Sequence, residues 1–266
     1  MNPEPTKGKP TFARFAVGLF SLILTVLPLL ACDAPETREV AVFMYHDFVP
    51  DGESGEWAVT ESTFEAHVKA LAGAGYIAVD FDDLRQFVLG DGDLPEKCVV
   101  LSCDDGYCGV TDIALPICEQ YGMKLTCAVI GGAVERDNHF IPDAALADRI
   151  ELTSHSYRIH DLPGGYLMSD LDDEAYCAAV TEDTAAMTGA FAELFPETAR
   201  TLVYPYGACD DRSEAVLTEL GYDLTVTVMP GTAVLVRGDG TTLRRLPRYG
   251  VYETTTAEEI LALSGE

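Results

Sequence analysis

Short runs of apolar residues alternate along the chain with longer segments in which apolar residues recur every three or four positions. The short runs are typical of buried strands, and the periodic segments are typical of helices that pack on one face. Strands are predicted at 39–45, 76–79, 98–103, 124–130, 151–152, 200–206, 222–228 and 243–251, and helices at about 62–71, 82–89, 110–121, 142–149, 170–194, 212–220 and 256–263. This alternation implies a mostly parallel sheet, and the strand number favours an α/β fold, an irregular (β/α) barrel of about seven parallel strands.

Two adjacent acids follow the apolar run that lies near the middle of the predicted sheet. The run 99–101 is Val-Val-Leu, and Asp104 and Asp105 stand where it ends. In parallel α/β folds the carboxyl ends of the strands face the ligand, so acids at this position are candidate site residues. Asp-Gly is also a common turn dipeptide, so a plain turn is the alternative.

The amino-terminal segment differs from the rest of the chain. Basic residues precede an apolar run over 15–31, and Cys32 follows it. This order is typical of an export signal. Leu29-Leu30-Ala31-Cys32 resembles the lipobox of bacterial lipoproteins, which implies processing that leaves Cys32 as a lipid-modified amino terminus; an uncleaved anchor is the alternative. We therefore expect a signal peptide at 1–31, a tether at 32–38, one folded domain at 39–266, and a membrane lipoprotein that faces the cell exterior or the periplasm.

The overall charge limits the class of partner. The chain has 44 acidic and 17 basic residues, and its formal net charge is -27. Nucleic acids and other polyanions are therefore excluded as partners of the protein body, and a neutral or cationic partner is expected. Seven cysteines follow Cys32, and Cys108 and Cys209 are the candidate disulfide pair because both fall in predicted loops after candidate site residues.

Two histidines are the second group of candidate site residues. His155 and His160 are five positions apart, which on a helix would turn the two side chains away from each other, so a shared role requires a loop. With Asp105 they form the two-imidazole, one-carboxylate set of a catalytic zinc, although the same set holds iron in oxygenases. Asp104 would then be a general base beside the ligands, and His46 ends the first strand at the same face.

The ordered motifs identify a family resemblance. Ser-Cys-Asp-Asp-Gly-Tyr at 102–107 resembles the Thr-Phe-Asp-Asp-Gly-Tyr motif of polysaccharide deacetylases, the NodB-homology group or carbohydrate esterase family four. Further segments resemble the branch that includes the poly-N-acetylglucosamine deacetylases: Met44-Tyr45-His46, Leu94-Pro95-Glu96-Lys97, Ala114-Leu115-Pro116, Tyr121-Gly122-Met123, Ser154 to His160, and Tyr204-Pro205-Tyr206-Gly207.

The resemblance implies a role for each matching residue. It implies Asp104 as the catalytic base and a divalent metal, with zinc expected and cobalt, nickel or iron as alternatives. The metal ligands would be Asp105, His155 and His160. The backbone N–H of Tyr206 would donate to the oxyanion, Tyr204 and Pro205 of the same motif would contact substrate, and His46 would be the general acid, because no histidine follows His160.

The chain departs from the family pattern at an arginine, and its one tryptophan lies outside the matching motifs. The usual Arg-Pro-Pro-Tyr is replaced by Val-Tyr-Pro-Tyr at 203–206, so the arginine that orients the base is missing there. We expect Arg248, in a later Leu-Pro-Arg-Tyr, to supply it from a neighbouring strand. The single tryptophan, Trp57, lies in an early loop, where it would stack on a sugar or cover the edge of the core.

These features together predict a metal-dependent deacetylase that acts on N-acetylglucosamine units of a cell-surface glycan. Two other functions remain open. One is a catalytically inactive relative that binds carbohydrate, and the other is a metal hydrolase that uses the same residues on a different amide or ester.

Overall fold

A computed structural model of the chain describes residues 1–3, 8, 34–134, 136, 138–192, 194 and 200–265. Residues 35–266 form one compact unit. The predicted leader run at 15–31 and the lipidation residue Cys32 lie outside the described residues. Across the described ranges, no helix is both long enough and apolar enough to cross a membrane.

The strands form one large sheet and one small one. Their bounds are β1 Thr37–Tyr45, β2 Asp47–Val49, β3 Ala58–Thr60, β4 Ile77–Val79, β5 Cys98–Cys103, β6 Thr126–Val129, β7 Glu151–Ser154, β8 Arg200–Val203, β9 Tyr222–Val226, β10 Ala233–Val236 and β11 Tyr249–Gly250. The large sheet has the order β10-β1-β5-β6-β7-β8-β9, with β4 also on β5 and β11 also on β1, while β2 and β3 pair separately. All pairs are parallel except β1 with β10. The sheet curls into a half-barrel of seven strands, which confirms the predicted fold class.

The helices lie in the connections between strands. They are α1 Glu61–Gly73, α2 Phe81–Leu89, α3 Leu115–Tyr121, α4 Ala144–Ala147, α5 Asp173–Ala190, α6 Asp211–Glu219 and α7 Ala257–Ser264. Each predicted helix is present, although α4 and α5 are shorter than their apolar patterns indicated. The parallel strands require these crossovers, because a hairpin turn can join only antiparallel neighbours.

Alternating residues of β1 show how the sheet is buried on both faces. Val40 and Val42 join a core that includes Phe87 of α2, whereas Phe43 and Tyr45 join a second core formed with helices such as α1 and α3. Burial on both faces explains why β1 is read as a continuous apolar run, and it fixes the strand register.

The last predicted strand is wrong over most of its length. Within 243–251, only Tyr249 and Gly250 are in a strand, and Leu243 ends a short 3-10 turn. Arg245 has a φ of +54° and Pro247 lacks a backbone N–H, so neither suits a regular ladder. Strand β10 was not predicted, and β2 and most of β3 lie in a segment that was predicted to be a loop.

Candidate active site

The carboxyl ends of the parallel strands bring the predicted residues to one edge of the half-barrel. Tyr45, at the end of β1, pairs with Cys103 at the end of β5, and the Asp104 N–H donates to the Tyr45 carbonyl at 3.0 Å. His155 follows β7 directly. These ends border a cleft of about 450 Å³ whose lining residues include Met44, His46, Trp57, Asp104, Asp105, Tyr107, His155, His160, Tyr206, Val228, Pro230, Gly250 and Tyr252.

Asp105, His155 and His160 converge within this cleft. The Nε2 atoms of His155 and His160 lie 3.5 Å and 3.4 Å from Oδ1 of Asp105. One ligand atom from each residue falls within 4.8 Å of the other two. The exposed fraction of the side chain is 13% for Asp105, 4% for His155 and 18% for His160, so water screens their charges weakly. The irregular segment after β7 directs both imidazoles toward the Asp105 carboxylate. On a regular helix, side chains five residues apart would point in different directions.

A hydrogen bond to the backbone orients one of the two imidazoles. The Nδ1–H of His155 donates to the Val203 carbonyl at 2.8 Å, which leaves Nε2 as the atom directed toward Asp105. Burial lowers the pKa of His155, which favours the neutral imidazole that a metal requires. Burial alone would lower the pKa of His160 too, but the nearby carboxylates of Asp105 and Asp161 raise it overall. The donor set of two nitrogens and one carboxylate oxygen fits a divalent metal that keeps a further position open.

Asp104 lies beside the cluster and is tied to Arg248. Its two carboxylate oxygens each accept a hydrogen bond of 2.8 Å from the guanidinium, and both side chains are almost completely buried. Burial by itself raises the pKa of Asp104, but the charge and hydrogen bonds of Arg248 outweigh it and hold the pKa well below its usual range. Arg248 also donates to the Thr227 carbonyl at 2.9 Å, which fixes the guanidinium in place. The predicted contact between Arg248 and the base is therefore present.

His46 borders the cleft next to Trp57. The two ring centroids are 5.0 Å apart. Nδ1 of His46 is buried and has no hydrogen-bond partner within the described part of the chain. His46 is thus placed at the site predicted for it, with a ring nitrogen available for a ligand.

Tyr206 follows β8 in an unusual backbone conformation. Its φ is +59° and that of Gly207 is +65°, so two successive residues are left-handed. The Tyr206 hydroxyl donates to the His160 carbonyl at 2.9 Å, and its ring lies 5.0 Å from the His160 ring. The Tyr206 N–H donates to no residue that the structure describes. Such strain is characteristic of functional sites, where the surrounding structure maintains it.

The predicted substrate contacts of Tyr204 and Pro205 are wrong for their side chains. Both are buried and neither lines the cleft. The Tyr204 hydroxyl instead donates to Glu214 at 2.7 Å, on the α6 side of the sheet. Because residues two apart in an extended chain face the same side, Tyr206 would lie on the same side as Tyr204, and only the turn of the chain after β8 brings Tyr206 to the cleft.

The candidate disulfide is also absent, and some cleft residues were missed. Cys108 and Cys209 are both free thiols. Tyr107, Gly250 and Tyr252 also line the cleft, although no role was predicted for them. Tyr107 belongs to the Asp-Asp-Gly-Tyr motif, so its position was a usable signal. The sequence around Tyr252 contained no such signal. Tyr252 reaches the cleft only because the short strand β11, just before it in the chain, pairs with β1.

Comparisons with known proteins agree with this geometry. A family profile described as polysaccharide deacetylase matches residues 91–225, just over half of the chain. The chain is 26% identical over 196 residues to YxkH of Bacillus subtilis (strain 168), whose name places it among polysaccharide deacetylases; the match covers 73% of this chain and 66% of that protein. It is 24% identical over 212 residues to the poly-β-1,6-N-acetyl-D-glucosamine N-deacetylase of Escherichia coli (strain K12), a match that covers 66% of this chain and 32% of that protein.

A solved structure shares the fold. The Streptococcus pyogenes deacetylase PplD, in complex with acetate, superposes with a TM-score of 0.68 at 19% sequence identity, over 88% of this chain and 100% of that one. The chain itself spans about two thirds of the length of the Bacillus relative and about one third of the Escherichia relative.

Proposed function

Because the chain belongs to the polysaccharide deacetylase family, we propose that it is a metal-dependent hydrolase that removes N-acetyl groups from N-acetylglucosamine units of a cell-surface polysaccharide. The observation that carries the proposal is the convergence of Asp105, His155 and His160, with Asp104 beside them in the same cleft. The substrate class is taken from the similarity to a relative named for poly-β-1,6-N-acetyl-D-glucosamine.

A divalent metal would be held by Asp105, His155 and His160. Zinc is the metal we propose, with cobalt, nickel or iron as alternatives. When bound, it would supply Lewis-acid chemistry, which polarises the amide carbonyl and makes a water more acidic. Val203 supports this role from outside the ligand set, because its carbonyl fixes the ring orientation and tautomer of His155.

The remaining steps belong to the protein's own side chains and backbone. Asp104 takes the proton from the water that attacks the acetamide carbonyl, and Arg248 keeps the carboxylate ionised and correctly turned for this transfer. The Tyr206 N–H donates to the oxyanion of the tetrahedral intermediate. As the C–N bond breaks, His46 gives a proton to the departing sugar amine, so the products are acetate and a free amine. Arg248 is therefore a positioning residue rather than a catalytic one.

The two rival functions meet different difficulties. A carbohydrate-binding relative without activity would have little use for a buried Asp–Arg pair next to the His cluster, because burying charge is costly. A hydrolase of another amide or ester would use the same residues, and the acidic composition favours neutral or cationic substrates over polyanions. We further propose that Cys32 carries a lipid that tethers the enzyme to a membrane outside the cytoplasm, on the basis of the lipobox-like segment.

Acetate release tests the proposed activity. The purified chain, loaded with zinc or cobalt, is incubated with oligomers of β-1,6-linked N-acetylglucosamine, with chitooligosaccharides and with a simple aryl acetate ester. We expect acetate from the sugar oligomers, and its loss in Asp105→Ala. Release from the ester alone would favour the rival hydrolase, and no release from any substrate would favour the binding protein.

Gly207→Ala tests the proposed oxyanion donor without changing a reacting side chain. A Cβ atom at Gly207 would lie 2.5 Å from Cγ2 and 2.8 Å from the backbone N of Val228, at a φ of +65°. The backbone must shift, and the adjacent Tyr206 N–H must move with it. We expect kcat for acetate release to fall by about tenfold to a hundredfold. Gly238→Ala is the matched control, because it has a φ of +85° but no atom near the added Cβ; an equal fall in both variants would remove the support for this donor.

A further inference from the structure

A carboxylate on α5 binds the backbone of the segment that joins the two candidate ligand histidines. Asp183 accepts hydrogen bonds from three successive backbone N–H groups, those of Tyr157 at 2.8 Å, Arg158 at 2.6 Å and Ile159 at 3.0 Å. His155 and His160 lie on either side of these three residues in the chain. We call residues 155–160 the ligand segment. One side chain therefore holds most of the backbone between the two imidazoles.

Burial makes these hydrogen bonds important. Asp183 is only 7% exposed, and a carboxylate that loses its hydration shell must be compensated by hydrogen bonds or by a cation. Hydrogen bonds from backbone N–H groups to an ionised carboxylate are about twice as strong as those between neutral groups. Without Asp183, the three N–H groups of the ligand segment would in turn lose their acceptor. The carboxylate and the ligand segment therefore stabilise each other.

The backbone of the ligand segment is strained and needs such support. Ser156 has a φ of +69°, in the left-handed region that is unfavourable for residues other than glycine. Its hydroxyl accepts a hydrogen bond from the His160 N–H at 2.9 Å. The loop after β6 also contacts the segment, because the Gly132 N–H donates to the Tyr157 carbonyl at 2.8 Å. Strained backbone persists only where surrounding contacts enforce it, and Asp183 supplies three of these contacts.

His160 depends on the ligand segment more than His155 does. The Nδ1–H of His155 donates to the Val203 carbonyl at 2.8 Å, which fixes that ring from β8. Nδ1 of His160 lies 3.6 Å from Oδ1 of Asp161, a separation too long for a hydrogen bond. The His160 ring is held instead by its contact with the Tyr206 ring and by its own backbone. A shift of the ligand segment would therefore move His160 relative to His155.

We propose that Asp183 is a positioning residue for the metal site, which acts through the backbone of the ligand segment to set the separation of His155 and His160. The inference rests on the proposed function and deepens it. Asp183 does not line the cleft, so it touches neither the substrate nor the reacting atoms. Its effect is on metal affinity and on ligand geometry, and it reaches the rate of acetate release only through them.

Asp183→Asn tests the positioning role. The amide keeps the size of the carboxylate but has one acceptor oxygen and no charge, so it cannot hold three N–H groups equally well. We expect the affinity for zinc, measured by competition with a chelator, to fall by about tenfold to a hundredfold. The absorption spectrum of the cobalt-loaded full chain should change with the ligand geometry, and amide hydrogen exchange at 157–159 should become faster. All three are measured where circular dichroism shows that each variant is folded.

Two substitutions on or next to α5 are the matched controls. Glu182→Gln removes a charge at the preceding position, which is exposed. Asp172→Ala removes the helix cap, in which the Asp172 side chain accepts from the Ala175 N–H at 2.9 Å, and so lowers stability at the amino-terminal end of α5. Both variants should keep the zinc affinity and the cobalt spectrum of the natural chain. Equal weakening of zinc binding in Asp172→Ala and Asp183→Asn would show a general loss of stability and would overturn the inference.

Asp183→Glu keeps the test decisive if Asp183→Asn does not fold. The glutamate retains the charge but moves the carboxylate by one methylene, which shifts the N–H groups that it binds. Its zinc affinity should lie between those of the natural chain and Asp183→Asn, and its cobalt spectrum should differ from that of the natural chain. An unchanged affinity and spectrum in Asp183→Glu would show that the position of this carboxylate does not matter, which overturns the inference.

The outcomes separate this inference from the proposed function. If the natural chain releases acetate and Asp183→Asn binds zinc as tightly as the natural chain does, Asp183 is not a positioning residue, whereas the proposed function stands. If Asp183→Asn weakens zinc binding and changes the cobalt spectrum, but the natural chain releases no acetate from any sugar oligomer, the positioning role stands and the proposed activity fails.

Discussion

Asp104→Asn is expected to lower kcat for acetate release by about 100- to 10,000-fold while zinc binding is retained. The reason is that a side-chain amide cannot take a proton from the attacking water, yet its oxygen can still accept a hydrogen bond from Arg248. Asp104 is not in the Asp105, His155 and His160 set, so the proposed metal ligands are unchanged. The measurements are steady-state acetate release and zinc content of the same preparation.

A second Asp–Arg pair provides the control for Asp104→Asn. Asp223 accepts hydrogen bonds of 2.9 Å and 3.0 Å from Nε of Arg85, and neither residue lines the cleft. Asp223→Asn should leave kcat unchanged. If Asp104→Asn kept most of the activity, Asp104 could not be the base, whatever the state of the metal site.

Arg248→Met is expected to destabilise the fold by about 3–5 kcal/mol, because it leaves the Asp104 charge buried without its partner. Burial alone raises the pKa of Asp104, and Arg248 is the main group that lowers it. In the variant, Asp104 is therefore protonated at a higher pH, and the acidic limb of the pH–kcat profile moves upward. Denaturant unfolding and a pH–rate profile measure the two effects.

The sign of the stability effect follows from the depressed pKa. Asp104 contributes stability above the pKa of an unfolded Asp, about 3.9, and this contribution is lost as the pH falls through its lower folded pKa. The stability difference between the natural chain and Arg248→Met should thus be largest at neutral pH and smaller in acid. Arg85→Met should destabilise the fold without moving the pH–rate profile. The same shift of the acidic limb in both variants would contradict a special role for Arg248.

The parallel strands and the metal-ligand candidates could be predicted because both depend on local pattern. A strand buried on both faces reads as an unbroken apolar run, and the acids that end β5 need no long-range information to be noticed. His155 and His160 required one inference, that the segment that holds them is a loop rather than a helix. The role of Arg248 could be predicted only because the family's motif arginine is missing from 203–206. The segment that contains Arg248 was wrongly predicted to be a strand.

The remaining features depend on contacts that sequence order does not contain. The side chain of Tyr204 was expected in the cleft with Tyr206, but the positive φ of Tyr206 reverses the chain between them. Tyr252 is brought to Trp57 by the pairing of β11 with β1, two strands separated by most of the chain. Neither event leaves a signature in the spacing of hydrophobic residues, because each is set by long-range packing.

Zinc binding by the purified chain tests the central claim most directly, since it asks whether Asp105, His155 and His160 act as one site. After dialysis against zinc and then against metal-free buffer, elemental analysis should find one zinc per chain in the natural protein and in Asp104→Asn. In His155→Ala the affinity should be at least about a hundredfold weaker, because even the loss of an outer hydrogen bond to a ligand can weaken a site by up to that factor. Equal zinc retention by His155→Ala, or none by the natural chain, would contradict the account.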